Sequence, residues 1–111
     1  IICIQYSRID YKKGNLMENN EYDYFNKNNW KINEDNTKAF KLFNFKSFSE
    51  AISWMIEVSM QAEINNHHPE WKNVYNKIEV LLTTHDSGKI TKKDYDLATK
   101  MDIAFEKYRV K

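Results

Sequence analysis

From residue 30 onward, apolar positions along the chain alternate between short dense runs and longer stretches with helical spacing. "WKI" at 30–32 and "AFKLFNF" at 39–45 flank the polar "NEDNTK", the pattern of two short strands joined by a turn. The second run is apolar on both faces. That predicts an interior strand or one covered on both sides, although its period alone also fits a helix. "SFSE" at 47–50 carries a capping box, Ser47 with Glu50 three residues later. Phe48, Ala51, Ile52, Met55, Val58, Ser59 and Ala62 follow at spacings of three and four, which predicts an amphipathic helix to about residue 65 with this stripe in the core.

Beyond Pro69, "WKNVY" and "KIEVLLTT" read as two further strands, the second with Ile78, Val80 and Leu82 on one face. "HDSGK" is the turn that ends it. Thr91 and Asp94 then form an acidic variant of the helix cap, and Leu97, Ala98, Met101, Ala104 or Phe105, and Tyr108 continue one face of a second helix. The order β-β-α-β-β-α predicts an α+β fold: a small antiparallel four-stranded sheet with helices packed on one face.

At 111 residues the chain has room for one cored domain. Residues 1–29, rich in Asn, Tyr and charge, read as an irregular N-terminal extension with a helix near 17–29, and 30–111 as the domain. Met17 is the expected start of the folded part, with 1–16 as an added segment. Hydrophobic residues at 41% and charged residues at 30% fit a packed core under a solvated surface.

The net charge is +1, and only Arg8 and Arg109 among the 17 basic residues are arginine. Arginine is the residue suited to bidentate reading of phosphates and guanines, so direct nucleic-acid binding is not expected. The single cysteine, Cys3, can form neither an internal disulfide nor a cysteine metal site. No run approaches the ~20 apolar residues of a membrane span, and the start "IICIQYSRIDYKKG" lacks a secretory pattern. A cytosolic location is the expectation.

The chemistry concentrates in "NNHHPEWKNVYN" at 65–76, which holds two of the three histidines against the only proline. His67 and His68 follow the long helix and His85 follows the last strand, and ends of elements are where side chains converge on a cleft. Pro69 pushes His68 out of helical geometry. Glu63 precedes His67 by four residues, so a helix running that far lets the carboxylate orient the His67 ring. Three uses remain open at this level: polar residues capping element ends, an acid–base site, or a zinc site. The adjacent pair is awkward for tetrahedral ligation, and no His-Glu-x-x-His spacing occurs, so metal is the least favoured.

The segment "AEINNHHPEWKNVYNKIEVLLTTHDSGKITKKDYDLA", residues 62–98, resembles the signature region of the pterin-4a-carbinolamine dehydratases, also known as dimerisation cofactors of a homeodomain transcription factor. The matching positions are Glu63, His67, His68, Pro69, Trp71 with Tyr75, Thr84, His85 and Asp94, and the likeness reaches upstream through "NFKSFSEAISWM" to Trp30. Lys89 departs from it, standing where the family often has a second glycine, and the first 29 residues resemble little.

The resemblance implies dehydration of 4a-hydroxytetrahydropterin to quinonoid dihydropterin, with no cofactor and no metal. For that reaction His68, fixed by Pro69, is the expected base, with His67 and His85 placed to assist loss of the hydroxyl from either face of the pterin. Glu63, Asn66, Thr83, Thr84 and Asp86 are implied around the pterin, with Pro69, Asp94 and Trp30 in support. Competing readings are a turn residue for Asp86, a helix cap for Asp94 and a core aromatic for Trp30. The family also implies a homodimer or homotetramer. A second role, stabilising a transcription factor dimer in the nucleus, would call for an exposed apolar stripe on the 47–65 helix, which Ser53 and Glu57 interrupt.

Overall fold

The computed structural model describes residues 16–109; Cys3, Arg8 and the expected 1–15 part of the added segment lie outside them. Three helices and four strands follow in the order α1 (Asn19–Lys27), β1 (Lys31–Ile32), β2 (Ala39–Asn44), α2 (Phe48–Asn65), β3 (Glu70–Val74), β4 (Lys77–Leu82) and α3 (Lys92–Phe105), with a 3-10 turn over Glu106–Tyr108. The strands form one antiparallel sheet in the order β1-β2-β4-β3. The fold is therefore α+β with an open sheet, as the hydrophobic pattern predicts.

Alternation along β4 buries Ile78, Val80 and Leu82 completely. Their partners in register on β2 are Phe43, Lys41 and Ala39, so one face of the sheet meets the helices. β2 is interior, between β1 and β4, but it is not covered on both sides. Phe40 and Leu42 on its second face are 40% and 43% exposed.

The buried stripe of α2 is Ala51, Trp54, Val58 and Ala62. Trp54 is its centre although the spacing argument passed it over, whereas Phe48 is half exposed and Ser59 points outward. The cause is a large indole that stacks 4.5 Å from Phe43, touches Phe45 and Trp71, and donates its ring N–H to the Met101 carbonyl. Those contacts rotate the helix so that Trp54 faces the sheet.

α1 joins the same core, with Phe25 wholly buried against Trp30 and Tyr95. Asp102 of α3 ties this corner together: it accepts from the Tyr24 hydroxyl at 2.6 Å, the Trp30 indole N–H at 3.0 Å and the Lys41 ammonium at 2.7 Å. Among the described residues no helix is long and apolar enough to cross a membrane.

Candidate active site

The site begins where α2 stops. Asn66 takes a left-handed conformation, φ 51°, at the helix C-cap, with its own N–H on the Glu63 carbonyl and the His67 N–H on the Ala62 carbonyl. This is a Schellman closure with asparagine in the position that glycine more often fills. Helical register is thus lost one residue before His67, ahead of any effect of Pro69.

That break overturns the expected Glu63–His67 pairing. His67 swings inward, wholly buried, and its Nε2 meets Asp94 Oδ1 at 2.5 Å. The Glu63 carboxylate instead meets His68 Nε2 at 3.3 Å on the partly exposed side. Neighbouring side chains in an extended segment point to opposite sides, so two adjacent histidines serve two different environments.

Asp94 is both a helix cap and the partner of His67. As the third residue of α3 it closes a capping box with Thr91, its Oδ2 accepting the Thr91 N–H at 3.0 Å. The same oxygen accepts the Thr84 hydroxyl at 2.7 Å, while Oδ1 takes His67. Thr84, implied to contact substrate, is almost wholly buried in this network.

His85, one residue further, is partly exposed and lies 3.3 Å from Glu70 of β3. The turn that carries it closes through Gly88, whose N–H bonds the Thr84 carbonyl and whose φ is 70°. Lys89 needs no positive φ and bridges back to Thr84, so the departure from a second glycine leaves the turn intact. Thr83 directs its hydroxyl to the Thr37 carbonyl at 2.6 Å, bracing the turn against the β1–β2 loop, and Asp86 is solvent-exposed.

Beside His68 runs a groove of about 640 Å³ lined by Ser59, Met60, Ala62, Glu63, Ile64, His68, Pro69 and Trp71. Its walls are mostly apolar, with Ser59 and the histidine–carboxylate edge as the polar positions, the usual make-up of a small-molecule site. Trp30 is not among them: it is core, bonded to Asp102 in another cluster. A second cavity of about 450 Å³ near Lys41 and Asp102 contains no histidine.

The structure thus brings Glu63, His67, His68, His85 and Asp94 to one end of the sheet, leaves Asn66 as the turn residue behind them, and sets Trp30 apart. Sequence reasoning missed Glu70, Thr91 and the apolar wall of Met60 and Ile64. Glu70 follows Pro69 directly at the start of β3, and only its pairing with Leu81 of β4 in the folded sheet brings it to His85, so no local signal marked it.

Fold and site together define a small α+β domain with three histidine–carboxylate pairs around one end of an antiparallel sheet. The sequence profile of the family described as Pterin 4 alpha carbinolamine dehydratase matches residues 15–104, and the chain belongs to that family, one of hydro-lyases. A relative from Sinorhizobium medicae (strain WSM419) that carries the pterin-4-alpha-carbinolamine dehydratase name is 51% identical over 77 residues, 69% of this chain and 73% of its own. A relative from Sinorhizobium fredii (strain NBRC 101917 / NGR234) with the same name is 49% identical over 75 residues, 68% of this chain and 71% of its own. A crystal structure described as a transcriptional coactivator/pterin dehydratase from Brucella melitensis matches with a TM-score of 0.72 at 32% identity, covering 81% of this chain and 98% of that one.

Proposed function

We propose that this chain dehydrates 4a-hydroxytetrahydropterin to quinonoid dihydropterin by histidine acid–base catalysis, recycling the tetrahydropterin cofactor of aromatic hydroxylation. The observation that carries the reading is the partly exposed His68–Glu63 pair at the edge of an apolar groove, with a second pair between His85 of the turn after β4 and Glu70 of β3. In the reaction a base takes the ring N–H proton beside C4a. The freed electron pair forms the C=N bond as the C4a–O bond breaks, and a proton delivered to the hydroxyl lets it leave as water.

His68 is the base in this reading, with Glu63 stabilising the imidazolium that forms. His85, with Glu70, delivers the proton to the hydroxyl. His67 lies too deep to touch a ligand in the groove, and acts through Asp94 as the anchor of the His68 peptide. This reassigns His67 from the direct role expected of it in the sequence.

The test follows loss of 4a-hydroxypterin absorbance, generated in situ by a hydroxylase. His68→Ala is expected to lower kcat by about 10²–10⁴-fold, the range for removing a general acid or base. A folded wild-type protein that gives no acceleration refutes the reading, and a His68→Ala variant with near-normal kcat refutes the assignment.

One observation favours a second role. Phe48, Ile56, Met60 and Ile64 of α2 lie on one i, i+4 row and are all at least half exposed, Ile64 to 74%. Such a row matches the anchors of a helix that packs on another helix, which fits self-association or the stabilisation of a transcription factor dimer. Sedimentation of Ile56→Glu checks it: a mass unchanged from wild type and no lost partner would refute it.

A further inference from the structure

We propose that Thr84 and Thr91 are positioning residues for the dehydration: in series they direct their hydroxyl protons into Asp94, fixing His67 with a proton on Nε2 and setting the separation of His68 and His85. This rests on the reading above, in which His68 and His85 move the protons.

The argument is a count of hydrogens. Asp94, His67, Thr84 and Thr91 are all buried at or below 1% exposure, so each polar atom depends on its protein partners. Thr84 has one hydroxyl proton, and its contact with Asp94 Oδ2 at 2.7 Å uses that proton, because a carboxylate only accepts. The 2.7 Å contact between the Thr84 and Thr91 hydroxyls can then be made only by the Thr91 proton. Thr91 Oγ1 in turn accepts the Lys93 N–H at 3.2 Å. Every hydrogen in the chain is thereby oriented, from the first turn of α3 through Thr91 and Thr84 to Asp94.

With Oδ2 filled by Thr84 and the Thr91 N–H, Oδ1 is the oxygen left to His67, and it needs a donor there. His67 is therefore held with Nε2 protonated. An outer partner that fixes the tautomer and orientation of a histidine is a general device of acid–base and metal sites.

The network also sits one peptide bond from each exposed histidine. His67 precedes His68, and Thr84 precedes His85. Three separate elements, the end of α2, the end of β4 and the start of α3, are pinned to one carboxylate. Loosening it by a fraction of an ångström changes the spacing of the two groups that must act on one substrate, and misplacement of that size is costly to rate.

The experiment uses the full chain and the variants Thr84→Val, which keeps the shape and removes the hydroxyl, and Thr84→Ser, which restores it. Long-range ¹H–¹⁵N spectra of the imidazoles are expected to show His67 protonated at Nε2 in wild type and Thr84→Ser, with faster exchange of that proton in Thr84→Val. Turnover is expected to lose on the order of tenfold to a hundredfold in kcat with KM nearly unchanged in Thr84→Val, and to recover in Thr84→Ser. Two wild-type signals make the idea testable even if Thr84→Val does not fold, namely slowly exchanging hydroxyl protons on Thr84 and Thr91. Absence of those protons, His67 with a bare Nε2, or a folded Thr84→Val with normal kcat and exchange would overturn the proposal. A wild type with the expected spectra but no dehydration would overturn the functional reading and leave the hydrogen-bond chain standing.

Discussion

Replacing Asp94 by alanine removes in one step the acceptor for three buried donors: His67 Nε2, the Thr84 hydroxyl and the Thr91 amide. Asp94 and His67 are wholly buried, so the orphaned donors have no direct access to bulk water. Each donor orphaned in this way costs about 1–3 kcal/mol. The three terms overlap rather than add, since relaxation that rescues one donor rescues its neighbours, so we expect about 3–5 kcal/mol in all. For a domain with total stability on the order of 5–15 kcal/mol this is a large fraction. Urea unfolding is the assay: the midpoint should fall strongly at an unchanged slope, which reports stability rather than a change in exposed surface. Asp94→Asn should lose less, about 1.5–3 kcal/mol, because the amide oxygen still accepts from Thr84 and Thr91 while its NH₂ opposes His67 Nε2–H. A loss under ~1 kcal/mol for Asp94→Ala at unchanged slope would fall below the cost of a single orphaned donor and refute the network.

Asn66 supplies the left-handed turn that separates the two histidines, so Asn66→Gly should leave stability nearly unchanged whereas Asn66→Val should cost roughly 1–2 kcal/mol, read by thermal unfolding. Tyr24 is held above the ordinary tyrosine range, first by burial and then by its hydrogen bond to Asp102. Its folded value exceeds the unfolded 10.0, so the stability it contributes is complete below pH 10.0 and is lost as pH rises beyond that. Melting temperature measured above pH 10.0 should therefore fall less steeply in Tyr24→Phe than in wild type, and equal slopes would contradict the assignment.

Local signals made much of this protein legible in its sequence. Thr91 with Asp94 closes the full box at the start of α3, as their spacing predicts, whereas at the start of α2 Ser47 accepts from the Glu50 amide and the reciprocal bond from the Ser47 N–H to the Glu50 carboxylate does not form. The alternation of Ile78, Val80 and Leu82 assigns one face of β4 to the core, because period-two burial admits no other choice. Resemblance to the dehydratase family points to the end of the sheet where the histidines gather. Each of these depends on residues within one or two turns of one another, where backbone geometry leaves few options.

Contacts across the fold lie beyond such signals. Trp54 displaced its neighbours from the core stripe because an indole must find Phe43, Trp71 and the Met101 carbonyl, partners up to 47 residues away. Glu63 and His67, four apart, were parted by a single left-handed residue, and each then took its partner by position rather than spacing. His67 found Asp94 from 27 residues away, and Glu70 found His85 across the sheet. Composition and periodicity thus determined the elements, their faces and the residue types of the site. Which carboxylate holds which histidine was decided by tertiary packing, because a buried charge must be satisfied by whatever group the assembled elements bring within hydrogen-bond reach.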